Sequence, residues 1–187
     1  VLNRGVKLIV ADPRKIELCE FATMHLQQKP GTDIALVNGL MYIILENGYE
    51  NKQFIEERTE NYDALVENIK LYPPEKVSQI TGIPVDQLYQ AVEIIVKNAP
   101  MAVFWAMGST QHTVGVHNVF SLADLQMMLG NFGVPGGGVN PLRGQNNVQG
   151  ACDMGCLVNV YPGYQAVTAE ASQQKFEAAW GTTLSNK

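Results

Sequence analysis

Apolar positions along this chain fall into short unbroken runs and into helical stripes, and the two kinds of segment alternate. Residues 6–11 (VKLIVA) form a short apolar run that ends in Asp12-Pro13-Arg14, as a buried parallel strand and its C-terminal turn read. Residues 15–22 (KIELCEFA) have helical character, and residues 24–28 (MHLQQ) form a second strand candidate. Lys29-Pro30-Gly31-Thr32-Asp33 reads as a turn, with Thr32 or Asp33 near the N-cap of the next helix. That helix, residues 34–47, is apolar almost throughout and is expected inside. Residues 51–59 and 62–72 read as amphipathic helices. Residues 73–82 start with Pro in a first-turn position and stop at Gly82. Residues 85–98 form a helix with Leu88, Val92, Ile95 and Val96 on its apolar face, ended by Pro100. Residues 101–108 (MAVFWAMG) are the next clear buried strand. Residues 117–131 are a helix that Gly130 or Gly133 ends, residues 135–138 (PGGG) a flexible turn, and residues 170–180 a small closing helix. Strands alternating with helices predict an α/β fold, a doubly wound parallel sheet flanked by helices, over one domain of residues 1–187. In such folds ligands bind beyond the carboxyl ends of the strands, here after residues 6–11, 24–27 and 101–107.

The run 140–155 (NPLRGQNNVQGACDMG) breaks this pattern. It is too polar and too rich in Gly and Asn for a core strand or an amphipathic helix. One guanidinium, several side-chain amides and exposed backbone N–H groups lie within a short reach. That set suits a polar, anionic ligand, and residues 135–165 are expected to form a functional loop with weak exchange protection.

Composition narrows the picture. Hydrophobic residues make up 46% of 187, enough for a core. Charged residues are only 17%, against about 25% in an ordinary soluble domain, which predicts surface covered by the rest of a larger protein. The chain starts at Val1 and is expected to be a segment of a longer one. A net charge of −5, with no basic stripe, argues against nucleic acid as a partner. No apolar run approaches the ~20 residues of a membrane helix, so direct membrane insertion is not expected. No signal peptide is visible, and a cytoplasmic location is expected. The three cysteines, Cys19, Cys152 and Cys156, do not suggest a disulfide framework. Cys152 and Cys156 lack the two further ligands a structural zinc takes, so no metal site is expected in the chain, and both are read as packed thiols.

Candidate ligand residues cluster at the strand ends. Arg14, beside Asp12, can fork onto a phosphate or carboxylate, or make a surface ion pair. Asp33, after Gly31, can accept two hydrogen bonds side by side or cap a helix. Met107, Gly108, Ser109, Thr110 and Gln111 combine a close-approach glycine with hydroxyl and amide donors, or form an ordinary turn. His112 and His117 are given no catalytic role. Arg143, if buried, needs an anion, or else ties a loop carbonyl or Asp153. Asn146, Asn147 and Gln149 can staple the loop or bind a ligand. Asp153 reads as structural, and Tyr161 and Tyr164 as packing at a turn.

The run RGQNNVQGACDMG resembles the cofactor loop of the molybdopterin-dinucleotide oxidoreductases, specifically the formate dehydrogenase catalytic subunits. VADPR, PGTD, WAMGSTQ, NVYPGYQ and FEAAWG follow in the order of that family. The resemblance implies a dinucleotide-cofactor-binding domain of a larger chain, and a centre of molybdenum or tungsten with two molybdopterin guanine dinucleotides. It implies that Ala11, Asp12 and Arg14 lie against the guanosine and that Gly31 and Asp33 meet guanine. Met107, Gly108, Gln111, Gly144 and Gln145 match cofactor-contacting positions, and Arg143 the active-site Arg that orients formate. Ala11 stands where some relatives carry a different small residue, so its side-chain contact is in question.

The implied reaction is oxidation of formate to carbon dioxide in anaerobic metabolism, with electron transfer to a [4Fe-4S] cluster in a more N-terminal part of the parent chain and on to electron-transfer subunits. The metal-ligating residue lies outside this segment in the family, so the segment alone is expected to be inactive. Two alternatives stay open. A nitrate reductase of similar architecture shares the PGTD-like element, and a non-catalytic cofactor-domain scaffold needs no Arg143.

Overall fold

A computed structural model describes residues 4–185. The chain divides into two compact units, one ending at Leu142 and the other starting at Arg143.

The first unit is built around helix α1 (Asp33–Glu46), which buries nine of its 14 residues. Its sequence, DIALVNGLMYIILE, is apolar on every side, and a helix without a polar face must be covered all round. Helices α3 (Tyr62–Ile69), α4 (Pro74–Thr81), α5 (Val85–Lys97) and α7 (Gly115–Met128) pack against it, and α2 (Lys52–Arg58) packs on α7. Ile69, Val77, Leu88, Ala91, Val92, Leu125 and Met128 meet Leu36, Leu40, Met41, Ile43 and Ile44 in one cluster. Helix ends follow the predicted punctuation. Pro74 opens α4 and Gly82 closes it in the left-handed region. Gly130 follows α7 with the Asn131 N–H donating to the Gln126 carbonyl at 2.9 Å.

The strands are shorter than the apolar runs that announce them. β1 (Ile9–Ala11) pairs in parallel with β2 (Met24–Leu26), from Ile9↔Met24 to Ala11↔Leu26. β3 (Ala102–Trp105) pairs in parallel with β4 (Gly138–Pro141), from Ala102↔Gly138 to Trp105↔Pro141. The α/β class with parallel pairing is what the alternation predicts. Among the described residues the strands pair two by two rather than in one continuous sheet. β3 ends at Trp105 because the chain leaves extended geometry at Ala106, and Met107–Thr110 wind into a one-turn helix, α6. Residues 15–22 give only a 3-10 helix over Glu17–Phe21, since this segment buries no side chain that would favour a longer helix.

The second unit holds α8 (Val148–Asp153), the antiparallel pair β5 (Val160–Tyr161) and β6 (Gln165–Ala166), and α9 (Glu170–Trp180). Tyr161 packs on Phe176, with ring centroids 4.7 Å apart, and edge-on to Trp180 at 6.0 Å, the packing role its sequence context predicts. The polar run is thus not all loop. It takes in the end of β4 and the six-residue α8, which buries no residue. No helix among the described residues is long and apolar enough to cross a membrane.

Replacing Ile44, wholly buried in α1, by Ala should lower the unfolding free energy by about 2–5 kcal/mol. Leu71→Ala, at a position 59% exposed, should change it by less than about 0.5 kcal/mol. Urea denaturation with an unchanged m-value checks both.

Candidate functional site

At the end of the β1–β2 pair, Asp12 sits beside Leu26, with its N–H donating to the Leu26 carbonyl at 3.2 Å. One Asp12 carboxylate oxygen accepts from the Arg14 backbone N–H at 2.7 Å, an Asx-type turn that Pro13 fits without an N–H of its own. His25 Nε2 lies 2.9 Å from the Asp12 carbonyl, and Gln27 Nε2 donates to the Pro13 carbonyl at 3.0 Å, so side chains of β2 and its exit brace the turn after β1. The Arg14 guanidinium is exposed and makes no hydrogen bond or ion pair with any described residue. It borders an open hollow of about 530 Å³ with Lys15, Ile16, Glu17 and Leu18. Ala11 is exposed at the end of the strand.

Past β2, the turn to α1 needs Gly31 at φ 78. Thr32 takes the N-cap position but does not cap; its hydroxyl donates back to the Lys29 carbonyl at 2.7 Å. Asp33 opens α1, half-buried, and its carboxylate has no partner among the described residues. The capping role that competes with ligand binding is therefore not taken up. The carboxylate sits where the helix's first-turn N–H groups favour negative charge.

At the end of the β3–β4 pair, the Leu142 N–H donates to the Trp105 carbonyl at 2.7 Å. The α6 turn carries Met107, Gly108 and Gln111, all exposed. From inside, Asn118 of α7 donates to the Ser109 carbonyl at 2.7 Å, and His112 Nε2 lies 2.8 Å from the Gly108 carbonyl. A Cβ built on Gly108 would meet no described atom within 4 Å, and Gly108 is not held at positive φ. Neither packing nor conformation within this chain demands glycine there. The same is true of Gly144 in the second unit.

In the second unit, Arg143, Gly144 and Gln145 precede α8 and are exposed. Burial of the Arg143 guanidinium, the premise of its sequence reading, is not met. It is tied neither to a loop carbonyl nor to Asp153, so it stays uncommitted within the described chain. Asn147 stands at φ 53, a conformation Asn tolerates, just before α8. Gln149 Nε2 donates to Asp153 Oδ1 at 3.2 Å and to the Tyr164 hydroxyl at 2.9 Å, and the Gly163 N–H donates to the Asp153 carbonyl at 2.8 Å. Asp153 is structural, as expected, while Tyr164 is exposed and ties the loop rather than packing. Cys152 is half-buried and Cys156 exposed, so only Cys152 fits a packed thiol.

Sequence reasoning passed over the buried amides of α7 and its exit: Asn118, Gln126 and Asn131, all at most 3% exposed. The available signal was polar residues on the same helix face as Leu125 and Met128. A second hollow, about 370 Å³ between α2, α3 and α7, contains none of the candidate residues; burial pushes the Asp124 carboxyl on its wall above its ordinary pKa.

Residues 1–184 match a family model described as Molybdopterin oxidoreductase. The chain is 46% identical over 179 residues to formate dehydrogenase H of Escherichia coli, covering 96% of this chain and 25% of that protein. It is 44% identical over 182 residues to the F420-dependent formate dehydrogenase 1 subunit alpha of Methanococcus maripaludis, covering 97% of this chain and 27% of that one. Among solved structures it resembles acetylene hydratase from Pelobacter acetylenicus, with a TM-score of 0.69 and 29% identity over 72% of this chain and 19% of that chain. The chain spans about a quarter of the length of the curated relatives it matches.

The Asp153 carboxylate, tied to the Tyr164 hydroxyl through Gln149 Nε2, and some desolvation hold the Tyr164 phenol above its ordinary pKa of 10. A raised folded value means that its contribution is complete below pH 10 and is lost as the pH rises through the folded value. In a tyrosinate absorbance titration, the step that Tyr164→Phe removes should move down toward 10 in Asp153→Asn. A step that does not move would refute the pairing.

Proposed function

We propose, because this chain belongs to the molybdopterin oxidoreductase family, that it forms part of the catalytic subunit of a formate dehydrogenase that oxidises formate to carbon dioxide. The observation that carries this reading is Arg143, a guanidinium with no partner among the described residues, at the head of the run RGQNNVQGACDMG. Formate is a small planar carboxylate, and a free guanidinium can meet it with two parallel N–H donors.

When bound, the molybdopterin centre takes up the two electrons released as formate becomes carbon dioxide and a proton. The protein's residues bind and orient. In the first unit, the free Asp33 carboxylate is suited to the N1–H and exocyclic amine of guanine. Arg14 borders the hollow that would take the guanosine end of the dinucleotide, Asp12 would meet the guanosine from the same turn, and Ala11 and Gly31 would offer backbone. Met107, Gly108 and Gln111 would contact the cofactor where the α6 turn leaves room for it. In the second unit, Gly144 and Gln145 would contact the cofactor, and Arg143 would hold the substrate.

The proposal takes residues 135–165 as the segment that meets cofactor and substrate. It assigns two guanine dinucleotides with molybdenum or tungsten, a [4Fe-4S] cluster elsewhere in the parent chain, electron-transfer subunits as partners, and a cytoplasmic location. The exposed Phe104, Val116 and Phe120 are read as surface that the rest of the parent chain covers.

In the full-length parent, Arg143→Ala should lower kcat/KM for formate-dependent viologen reduction by at least ~100-fold at unchanged metal content, roughly the loss of two charge-assisted hydrogen bonds. A metal-loaded wild type that ignores formate would point to nitrate or another substrate, and a wild type without metal to a scaffold. Asp33→Ala should lower the guanine nucleotide released on acid hydrolysis, per protein, by more than Asp12→Ala does. Equal content in both variants would remove Asp33 from guanine binding.

A further inference from the structure

β4 is a poor strand by composition. Gly138, at φ 108, opens it, and Pro141, which has no N–H for the ladder, closes it. Glycine-rich strands specify their register weakly, and a slip of one residue turns every side chain to the opposite face. Yet β4 is the last element before Arg143, so its register sets where the polar run begins.

A single buried amide spans the start of both strands. Gln126 of α7 is wholly buried. Its Nε2 donates to the Met101 carbonyl at 2.8 Å and to the Gly138 carbonyl at 2.7 Å. Its Oε1 accepts from Asn131 Nδ2 at 2.7 Å, which fixes which way the amide faces. Met101 immediately precedes β3 and Gly138 opens β4, so the amide holds the register pair Ala102↔Gly138 from outside the ladder. Asn140 adds longer contacts, to the Val103 carbonyl at 3.2 Å and the Gly138 carbonyl at 3.3 Å. Only a side-chain amide of this length offers two donors and an acceptor to these three groups.

We propose that Gln126 is a register clamp for β4 and, through it, a positioning residue for Arg143. The second half of the inference rests on the formate dehydrogenase reading; the first does not. Gln126 touches neither cofactor nor substrate. It acts by fixing the strand from which Arg143 emerges, one residue beyond the Leu142–Trp105 hydrogen bond.

The test uses the full-length parent with Gln126→Met, which keeps the packing volume and removes the amide, and Leu125→Ala as a buried control on the same helix. Two amides are followed by hydrogen exchange: Leu142, bonded across β3–β4, and Asp12, bonded across β1–β2. In Gln126→Met, exchange at Leu142 should rise at least ~10-fold relative to Asp12, since local opening is governed by local contacts. KM for formate should rise about 10-fold, with kcat per metal within about twofold, the signature of a displaced ground-state contact. Leu125→Ala should lower Tm, move both amides together and leave KM alone.

Equal acceleration of both amides in Gln126→Met, or none, would overturn the clamp. Local acceleration with unchanged KM would overturn the positioning role. Should Gln126→Met not accumulate, Asn131→Ala removes only the side chain that orients the amide and is judged by the same two readouts. A wild type without formate turnover would sink the proposed function, while the amide comparison would still decide the clamp.

Discussion

Helix α1 has no face that can be left in water, and the first unit is arranged to satisfy that constraint. Leu36, Leu40, Met41, Ile43 and Ile44 are each at most 6% exposed. At roughly 2 kcal/mol for each large buried apolar side chain, this helix alone supplies on the order of 10 kcal/mol of the drive to fold, an upper bound for an extended reference chain. Four helices are needed to cover it, which explains why helices dominate a unit whose strands are three or four residues long. Its position also places its first residue, Asp33, directly after the turn from β2.

Burying helices tightly leaves little room for polar groups inside, and the amides of α7 and its exit are each hydrogen-bonded. Asn118 ties the α6 turn, Gln126 ties β3 to β4, and Asn131 orients Gln126. An interior amide with every bond made rigidifies what it touches, because opening it leaves several groups unpaired at once. The turns beyond the strands are therefore held from within. The outward side chains of Arg14, Asp33, Gln111 and Arg143 make no bonds to the described chain.

The glycines divide along the same line. Gly31 and Gly138 stand at positive φ, where the backbone itself requires glycine. Gly108 and Gly144 are under no such demand, and a Cβ on either would meet no described atom within 4 Å. The distinction between a glycine the backbone requires and one it does not is visible only with coordinates.

How much was legible follows from the range of each interaction. Periodicity marked α1, α4, α5 and α7, because a helix's burial pattern and its proline and glycine punctuation are local; Pro74, Gly82 and Gly130 fall where the pattern put them. The order of motifs also carried the family, since RGQNNVQGACDMG and its companions are properties of the chain alone. Strand lengths were overestimated, because a ladder is only as long as its partner permits, and a partner is a tertiary fact. The exposure of Arg143, the uncapped state of Asp33 and the split of the polar run into the end of β4 and α8 were hidden for the same reason. So was Gln126, one polar letter in an apolar helix. By itself the sequence determined the helices, the α/β class and the kinship to molybdopterin oxidoreductases. Tertiary structure alone decided which polar side chains are consumed within the fold and which remain free, because a hydrogen bond between residues far apart in the chain leaves no periodic trace.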